Sequence, residues 1–300
     1  MERQAGALNR RNADSAPDRR GLDPLSPSLG VDLSEYRESE LERARIADLI
    51  ELCYCEGDTA IDVGTRDGYF ASLLADRYRR VTALDLEQPS MADPRIVCVA
   101  GDVRRLSFPD NSFDLVVCSE VLEHIPSEDL ETACNELSRV MRCHLLIGVP
   151  YKQDTRVGRT TCLRCGAHNP PWGHVNRFDE ARLRQLFPTL EVERRRFVGV
   201  NDKTTNFLAS LLMDMGGNPY GTYGQDEPCI QCGASLRKPP VRHSHQKVLT
   251  QLAFWASNVT RPFKTSHPNW IHLLFRKRGT FGSPQQRAPA TQHRQSERAG

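Results

Sequence analysis

The sequence predicts an α/β fold, a mostly parallel sheet with helices on both faces. Three observations carry this expectation. Short β-rich runs alternate with helical patterns as far as Val149, and such alternation builds strand-helix-strand units. A glycine-bearing turn, Gly64-Thr65-Arg66-Asp67-Gly68, joins the first of these strands to the helix after it. The next strand, Val81 to Asp85, ends in a carboxylate.

Taken in chain order, Leu41, Ile46, Leu49, Ile50 and Cys53 begin the series as one face of a helix. Strands are expected at 59–63, 81–85, 96–99, 114–119 and 145–149. The clearest helix spans 127–141, with Ser127 placed to accept the first free amide hydrogens and Glu128 and Asp129 at its positive end. Leu130, Ala133, Cys134, Leu137, Val140 and Met141 line the face that packs on the sheet. After Pro150 the regularity lapses. It returns with a helix at 179–187, a strand near 192–200 and a last apolar run from Trp270 to Phe275. Residues 201–268 read as a long insertion with its own helices, one of them around Val248, Leu249, Leu252, Ala253, Trp255 and Ala256. That helix is expected to pack against the rest of the insertion, although its flanking basic residues also suit a membrane surface.

The 300 residues are 39% hydrophobic, enough to bury a sizeable core. Residues 1–33 and 279–300 lack apolar periodicity and are expected to be disordered, leaving a domain over 34–278. No stretch is apolar enough for a membrane span, and the first thirty residues lack a secretory signal's apolar centre, so a cytoplasmic location is expected. The net charge is only +2, yet residues 233–300 hold twelve Lys and Arg against the single acid Glu297. Such a bias suits a phosphate-bearing partner, or simply a solvated surface. Of the ten cysteines, six fit buried or helical positions, Cys98, Cys118 and Cys143 among them, and four form two Cys-x-x-Cys pairs.

Glycines at 64 and 68 let the backbone approach a ligand closely, and Asp85 is placed to accept both hydroxyls of a ribose. Gly101-Asp102-Val103 follows the third strand. The turn Pro109-Asp110-Asn111-Ser112 and the strand Phe113-Asp114-Leu115-Val116-Val117-Cys118 come next. From Ala60 to His124 the chain resembles the core of class I S-adenosylmethionine-dependent methyltransferases, especially the type-11 group that contains ubiquinone and menaquinone biosynthetic enzymes. The likeness covers roughly residues 40–200 and 269–278. It implies a Rossmann-like, seven-stranded, mostly parallel sheet. It also implies that Asp62, Gly64 and Gly68 surround the amino-acid part of the cofactor, that Asp85 holds the ribose, and that Asp102 and Val103 meet the adenine. Ser119 and the stretch Glu120-Val121-Leu122-Glu123-His124 then lie beside the sulfonium. Arg66 departs from the pattern, standing where many members have a glycine, and is expected to point outward.

Cys162-Leu163-Arg164-Cys165-Gly166 and Cys229-Ile230-Gln231-Cys232-Gly233 are near copies, each able to wrap two thiolates around one metal ion. Four thiolates fill a tetrahedral shell and leave no place for water, so a structural zinc ion is expected, bound by Cys162, Cys165, Cys229 and Cys232. A redox pair, or a mixed site using His168 or His174, are the alternatives. If the sheet order of the resembled family holds, the knuckles follow strands five and six, and insertions 151–178 and 201–268 form a zinc-stapled lid over the cleft.

Methyl transfer from a sulfonium needs alignment of the acceptor, and a base only for some acceptors. No catalytic residue is assigned; His124 and His174 are the histidines closest to the expected cleft. Asn169-Pro170-Pro171-Trp172 resembles the tetrapeptide of amine-directed N-methyltransferases but falls in the zinc insertion rather than after strand four, so it is read as a rigid turn. The resemblance favours a small-molecule, lipid-linked or glycan acceptor. An RNA methyltransferase drawing on the basic C-terminal region, or a zinc-containing binding protein without turnover, are the alternatives. Oligomeric state is not legible.

Overall fold

Each central strand alternates its side chains between two cores, which explains why it is buried on both faces. Ile61, Val63, Val116, Cys118, Leu145 and Ile147 point into one core, and Ala60, Leu115, Val117 and Leu146 into the other. The computed structural model describes residues 37–54, 57–259 and 265–278; the arm and tail expected at the chain ends lie outside these. The described residues from Glu40 onward form one compact unit.

Helix α1 (Glu40–Leu52) leads into β1 (Thr59–Val63), α2 (Tyr69–Ala75), β2 (Arg80–Asp85), β3 (Ile96–Ala100) and β4 (Phe113–Ser119). A short helical turn at Leu122–His124, α3 (Leu130–Val140) and β5 (Met141–Pro150) follow. A two-stranded ribbon, β6 (Thr160–Thr161) with β7 (His168–Asn169), precedes α4 (Glu180–Leu186) and β8 (Leu190–Val198). Helices α5 (Phe207–Met215) and α6 (Ser244–Val259) come before the last strand, β9 (Trp270–Lys277). The sheet has seven strands in the order β3-β2-β1-β4-β5-β9-β8, the seven-stranded, mostly parallel sheet that the resemblance implies. Only β9 runs against the others. Helices α1 and α2 cover one face and α3 and α4 the other.

Three local expectations are corrected. The helix expected at 127–141 begins at Leu130 and ends at Val140, and Met141 opens β5. Ser127 does not cap it, because its hydroxyl donates to Asn176 Oδ1 at 3.2 Å instead. Leu41 is exposed, and α1 turns Glu42 inward alongside Leu49 and Leu52, because the sheet edge that it covers carries polar partners.

Asp114 anchors the amino-terminal ends of β1 and β4. Its buried carboxylate accepts from the amides of Asp58 and Thr59 at 2.9 and 3.1 Å and is paired with Arg142. Burial alone raises such a carboxyl, but Arg142 and the amides outweigh it and hold Asp114 below the usual range. Its stabilisation is therefore present above about pH 4 and lost as pH falls through the lower, folded-state value. Asp114→Asn is expected to cost about 2–3 kcal/mol near pH 7. Denaturant titrations should show the gap from the native chain closing below about pH 4.

Two helices stand on the second insertion. Asn206 caps α5, accepting from Ala209 N at 2.8 Å, while its amide donates to Ala256 O of α6 at 2.9 Å. The small residues Ala209, Ser210, Ala253 and Ala256 form the crossing, so α6 packs within the insertion as expected. Among the described residues no helix is long and apolar enough to cross a membrane.

Candidate cofactor cleft and cysteine cluster

Strand order reverses between β1 and β4, and the chain leaves β1 there through the glycine turn, the place where open α/β sheets receive ligands. Gly64 and Gly68 both adopt left-handed backbone, with φ of 78° and 79°. A Cβ on Gly64 would stand 2.2 Å from Val121 Cγ2, and one on Gly68 would stand 2.3 Å from Met91 Sδ. The turn is tied to β2, since the amides of Gly64 and Thr65 donate to Leu84 O at 2.8 and 3.0 Å.

Asp85 lies at the end of β2, one oxygen accepting from Arg66 N and the other from Leu86 N, both at 2.7 Å. These two amides fix the plane of the carboxylate and leave further lone pairs on each oxygen. Arg66 itself has φ 53°, so it occupies the glycine-like conformation that its position demands. Its side chain points away from the turn to Asp226 Oδ2 at 3.1 Å. An exposed pair of this kind contributes little stability, but it joins the turn to the second insertion.

Asp62 is buried on β1, and burial raises its pKa to about 6. The Thr65 hydroxyl offsets part of that rise, at a geometry too poor to complete a hydrogen bond, so Asp62 Oδ2 stays unsatisfied among the described residues. With the folded value above the unfolded one, ionisation of Asp62 costs stability as pH rises from about 4 through about 6. Asp62→Asn is expected to stabilise the cofactor-free protein by about 1–3 kcal/mol at pH 8 and to change little at pH 4, as read from denaturant midpoints.

Asp102 and buried Val103 follow β3. Arg104 grips the Asp102 carboxylate with contacts of 2.6 to 3.0 Å, holding it below the usual range, and reaches on to Asp129 Oδ2 at 2.6 Å. Ser119 closes β4, its hydroxyl accepting from Arg45 Nη1 at 2.9 Å. Arg45 also binds Glu42 and lies over the Trp270 ring, whose Nε1 donates to Glu120 Oε2 at 3.1 Å. On the same helix Asp48 meets buried His272 at 2.5 Å. The sequence reading missed this wall of Glu42, Arg45 and Asp48. Its signal was available, because charges at i, i+3 and i+6 share one helix face with residues that must be inside.

His124 and His174, separated by 50 positions, come together with ring centroids 4.7 Å apart. Burial pushes His124 down to about 4 and His174 to about 3, so both rings are neutral at pH 7. Glu123 is wholly buried beside them, and burial raises its carboxyl well above the usual range. The tetrapeptide Asn169–Trp172 lies within the insertion as a tight turn, with Trp172 in left-handed backbone at φ 58° and its amide donating to Gln225 Oε1 at 2.7 Å.

The four paired cysteines gather from two insertions, all four sulfurs within 4.8 Å of one another. Cys162 and Cys232 lie 3.6 Å apart, as do Cys165 and Cys229. Both knuckles repeat one backbone pattern, in which Gly166 N donates to Cys162 O and Gly233 N to Cys229 O, each at 2.9 Å. Cys162 N to Ala167 O and Cys229 N to Ala234 O match in the same way, also at 2.9 Å. The two glycines have φ of 74° and 69°, which lets the chain turn behind the second sulfur. His168 and His174 are not part of the sulfur cluster. The insertions also meet directly: Asp154 accepts from Thr205 N at 2.9 Å, Arg159 pairs with Asp214 at 3.0 Å, and Asn169 Oδ1 accepts from Ile230 N at 2.9 Å.

Residues 61–144 match the family described as methyltransferase domain, type 11. The match covers 84 of the 300 residues, the segment that holds the glycine turn and Asp85. Within this matched segment fall Asp62, Gly64, Gly68, Asp85, Asp102, Val103 and Ser119; the cysteine cluster lies beyond it. A probable S-adenosylmethionine-dependent methyltransferase of Mycolicibacterium smegmatis is 30% identical over 181 residues, 58% of this chain and 65% of that protein. A malonyl-[acyl-carrier protein] O-methyltransferase of Halorhodospira halophila is 38% identical over 92 residues, 27% of this chain and 30% of that protein. The chain therefore spans less than two thirds of either relative's length. Among solved structures, a putative methyltransferase from Bacillus halodurans aligns with a TM-score of 0.48 at 14% identity, covering 77% of this chain and 97% of that one.

Proposed function

We propose that the chain binds S-adenosylmethionine in the cleft above β1, β2 and β4 and transfers its methyl group to a small-molecule, lipid-linked or glycan acceptor. The observation that carries this reading is the pairing of a left-handed glycine turn with Asp85, whose two oxygens are already oriented by backbone amides. In that arrangement the turn admits the methionine end, and Asp62 provides a buried carboxylate for its ammonium group. Asp85 takes the ribose hydroxyls. Asp102 and Val103 border the adenine, with Asp102 shared between Arg104 and the ligand. Ser119 and Glu120 then flank the sulfonium.

Chemically, the acceptor's lone pair attacks the methyl carbon as the sulfur–carbon bond breaks, and the sulfonium leaves as a neutral thioether. The protein's part is to align the two groups and keep water out. His124 and His174 are neutral at pH 7, but burial weakens both as bases, and nothing in the reaction obliges them to take a proton. The acceptor classes rest on the resemblance of the Ala60–His124 segment to the type-11 group. Incubating the full chain with labelled S-adenosylmethionine and cell fractions should place label in lipid, glycan or small-molecule pools. Label in RNA, with RNA binding that weakens steeply with salt, would instead favour the reading from the basic C-terminal region.

The four cysteines fit a structural zinc ion. Zinc–sulfur bonds of about 2.3 Å place tetrahedral sulfurs about 3.8 Å apart, close to the 3.6 Å contacts between the knuckles. The ion would be held by thiolates alone, so it staples the lid and takes no part in methyl transfer.

A further inference from the structure

Helices α5 and α6 bury their small side chains and expose their large ones. The Asn206 side chain, at the start of α5, donates to Ala256 O near the end of α6. At the far end of α5, a Cβ on Gly216 would stand 3.0 Å from Thr250 Oγ1. The two helices therefore run antiparallel, with Ala209, Ser210, Thr250, Ala253 and Ala256 buried along their crossing.

The large apolar residues left outside are aligned rather than scattered. On α6, Val248, Leu252, Trp255 and Val259 fall at i, i+4, i+7 and i+11, a single narrow stripe, and all four are exposed. Leu208, Leu211 and Met215 repeat the pattern on α5 at i, i+3 and i+7. Phe207 is 76% exposed in the first turn of α5, and Trp255 is 67% exposed. Single apolar residues in water are ordinary, but two such stripes on neighbouring helices mark a surface that meets something apolar.

Charge decides what that is. The chain has no Asp or Glu between Glu227 and Glu297. Arg237 and Lys238, on the approach to α6, and Lys247, in its first turn, are exposed and form no ion pair among the described residues. Asp214 is the one acid on either helix, and it is taken up by Arg159 at 3.0 Å and by Asn218 at 2.9 Å. A second copy of the chain would set these cations against their own counterparts with no acid to pair. A nucleic acid would satisfy the cations but leave the Leu, Val and Met side chains in water. An anionic bilayer offers phosphates to the cations and acyl chains to the stripes.

We propose that α5 and α6 lie in the headgroup layer of an anionic lipid bilayer, with their apolar stripes among the acyl chains and Arg237, Lys238 and Lys247 against lipid phosphates. The attachment is peripheral, since neither helix is long and apolar enough to cross. The insertion that carries the stripes also touches the glycine turn, through Asp226 and Arg66. Of the acceptor classes proposed above, a lipid-linked one is then the class found at the same surface. That choice rests on the cofactor reading, whereas the docking does not.

The test is co-sedimentation of the full-length protein with vesicles of phosphatidylcholine alone and of phosphatidylcholine with about 30% phosphatidylglycerol. Binding to the anionic vesicles should be at least about tenfold tighter, and should weaken as salt is raised. Leu252→Ser combined with Trp255→Ser should lower it at least about tenfold, and Lys247→Glu at least about fivefold. Both variants change exposed residues outside the cleft and the cysteine cluster, so both should keep the native unfolding midpoint. Absence of binding to anionic vesicles, or binding that both variants retain in full, overturns the proposal. A dimer in solution that the double serine variant splits also overturns it, because a second copy would then occupy the face. So does RNA binding that both variants weaken, in the absence of vesicle binding. S-adenosylhomocysteine binding by the same samples is read separately and stands or falls without the vesicles.

Discussion

Replacing Gly64 by alanine is expected to weaken S-adenosylhomocysteine binding at least about 100-fold, a loss of roughly 2.7 kcal/mol or more. Two effects add. Alanine at φ 78° adopts a backbone that L-residues avoid by about 1–2 kcal/mol. Its Cβ would also overlap Val121, whose Cγ2 stands only 2.2 Å away. Val121 cannot swing aside freely, since it is β-branched and follows Glu120, itself in left-handed backbone at φ 58°. The double variant Gly64→Ala with Val121→Ala removes the overlap but not the strain, so it should recover part of the affinity. Calorimetric titration checks both, and native-like binding by Gly64→Ala would show that the ligand does not depend on this turn.

The second large effect is expected at the cysteines. Cys229→Ser should lower zinc from one equivalent per chain to almost none, because a tetrahedral site that loses one thiolate loses much of its affinity. The consequence should be local. Beyond the buried pair Cys162 and Cys229, the cluster's apolar support is small, consisting of buried Leu236 with partly buried Tyr223, Ala167 and Ala234. Amide exchange should therefore accelerate over about 160–169 and 221–236. The sheet should keep its protection, as should the helical part of the insertion, which Asp154, Arg159 and Asn206 tie down without the metal. Zinc content by metal analysis, together with the exchange map, decides the matter. Zinc retained at native levels in Cys229→Ser would contradict the four-cysteine assignment.

The strands and their mostly parallel arrangement were legible because each central strand is an apolar run bounded by glycine, proline or acids, and because parallel strands need helical crossovers. The glycine turn was legible because a tight turn after a strand leaves few residue types to choose from, and Gly64 and Gly68 do adopt left-handed backbone. What escaped was polar burial. In α1 the apolar residues suggested a core face through Leu41, whereas Glu42, Arg45 and Asp48 line the buried side; their spacing on one helix face was visible, but their partners Ser119, Trp270 and His272, 74 to 225 residues away, were not. Ser127 failed as a cap in the same manner, drawn off by Asn176. The two Cys-x-x-Cys pairs were visible individually, and their meeting follows from β5 and β8 ending at one edge of the sheet. The approach of His174 to Glu123 depends on hydrogen bonds across the insertion, and sequence spacing carries no trace of it.

The direct measurement of the account is a calorimetric titration of the full-length chain with S-adenosylhomocysteine and, separately, with NAD. One equivalent of S-adenosylhomocysteine should bind, weakened strongly by Gly64→Ala and by Asp85→Ala, while NAD should give no heat. Heat from NAD alone, or no saturable binding of the sulfur nucleoside by folded, zinc-replete protein, would contradict the central reading.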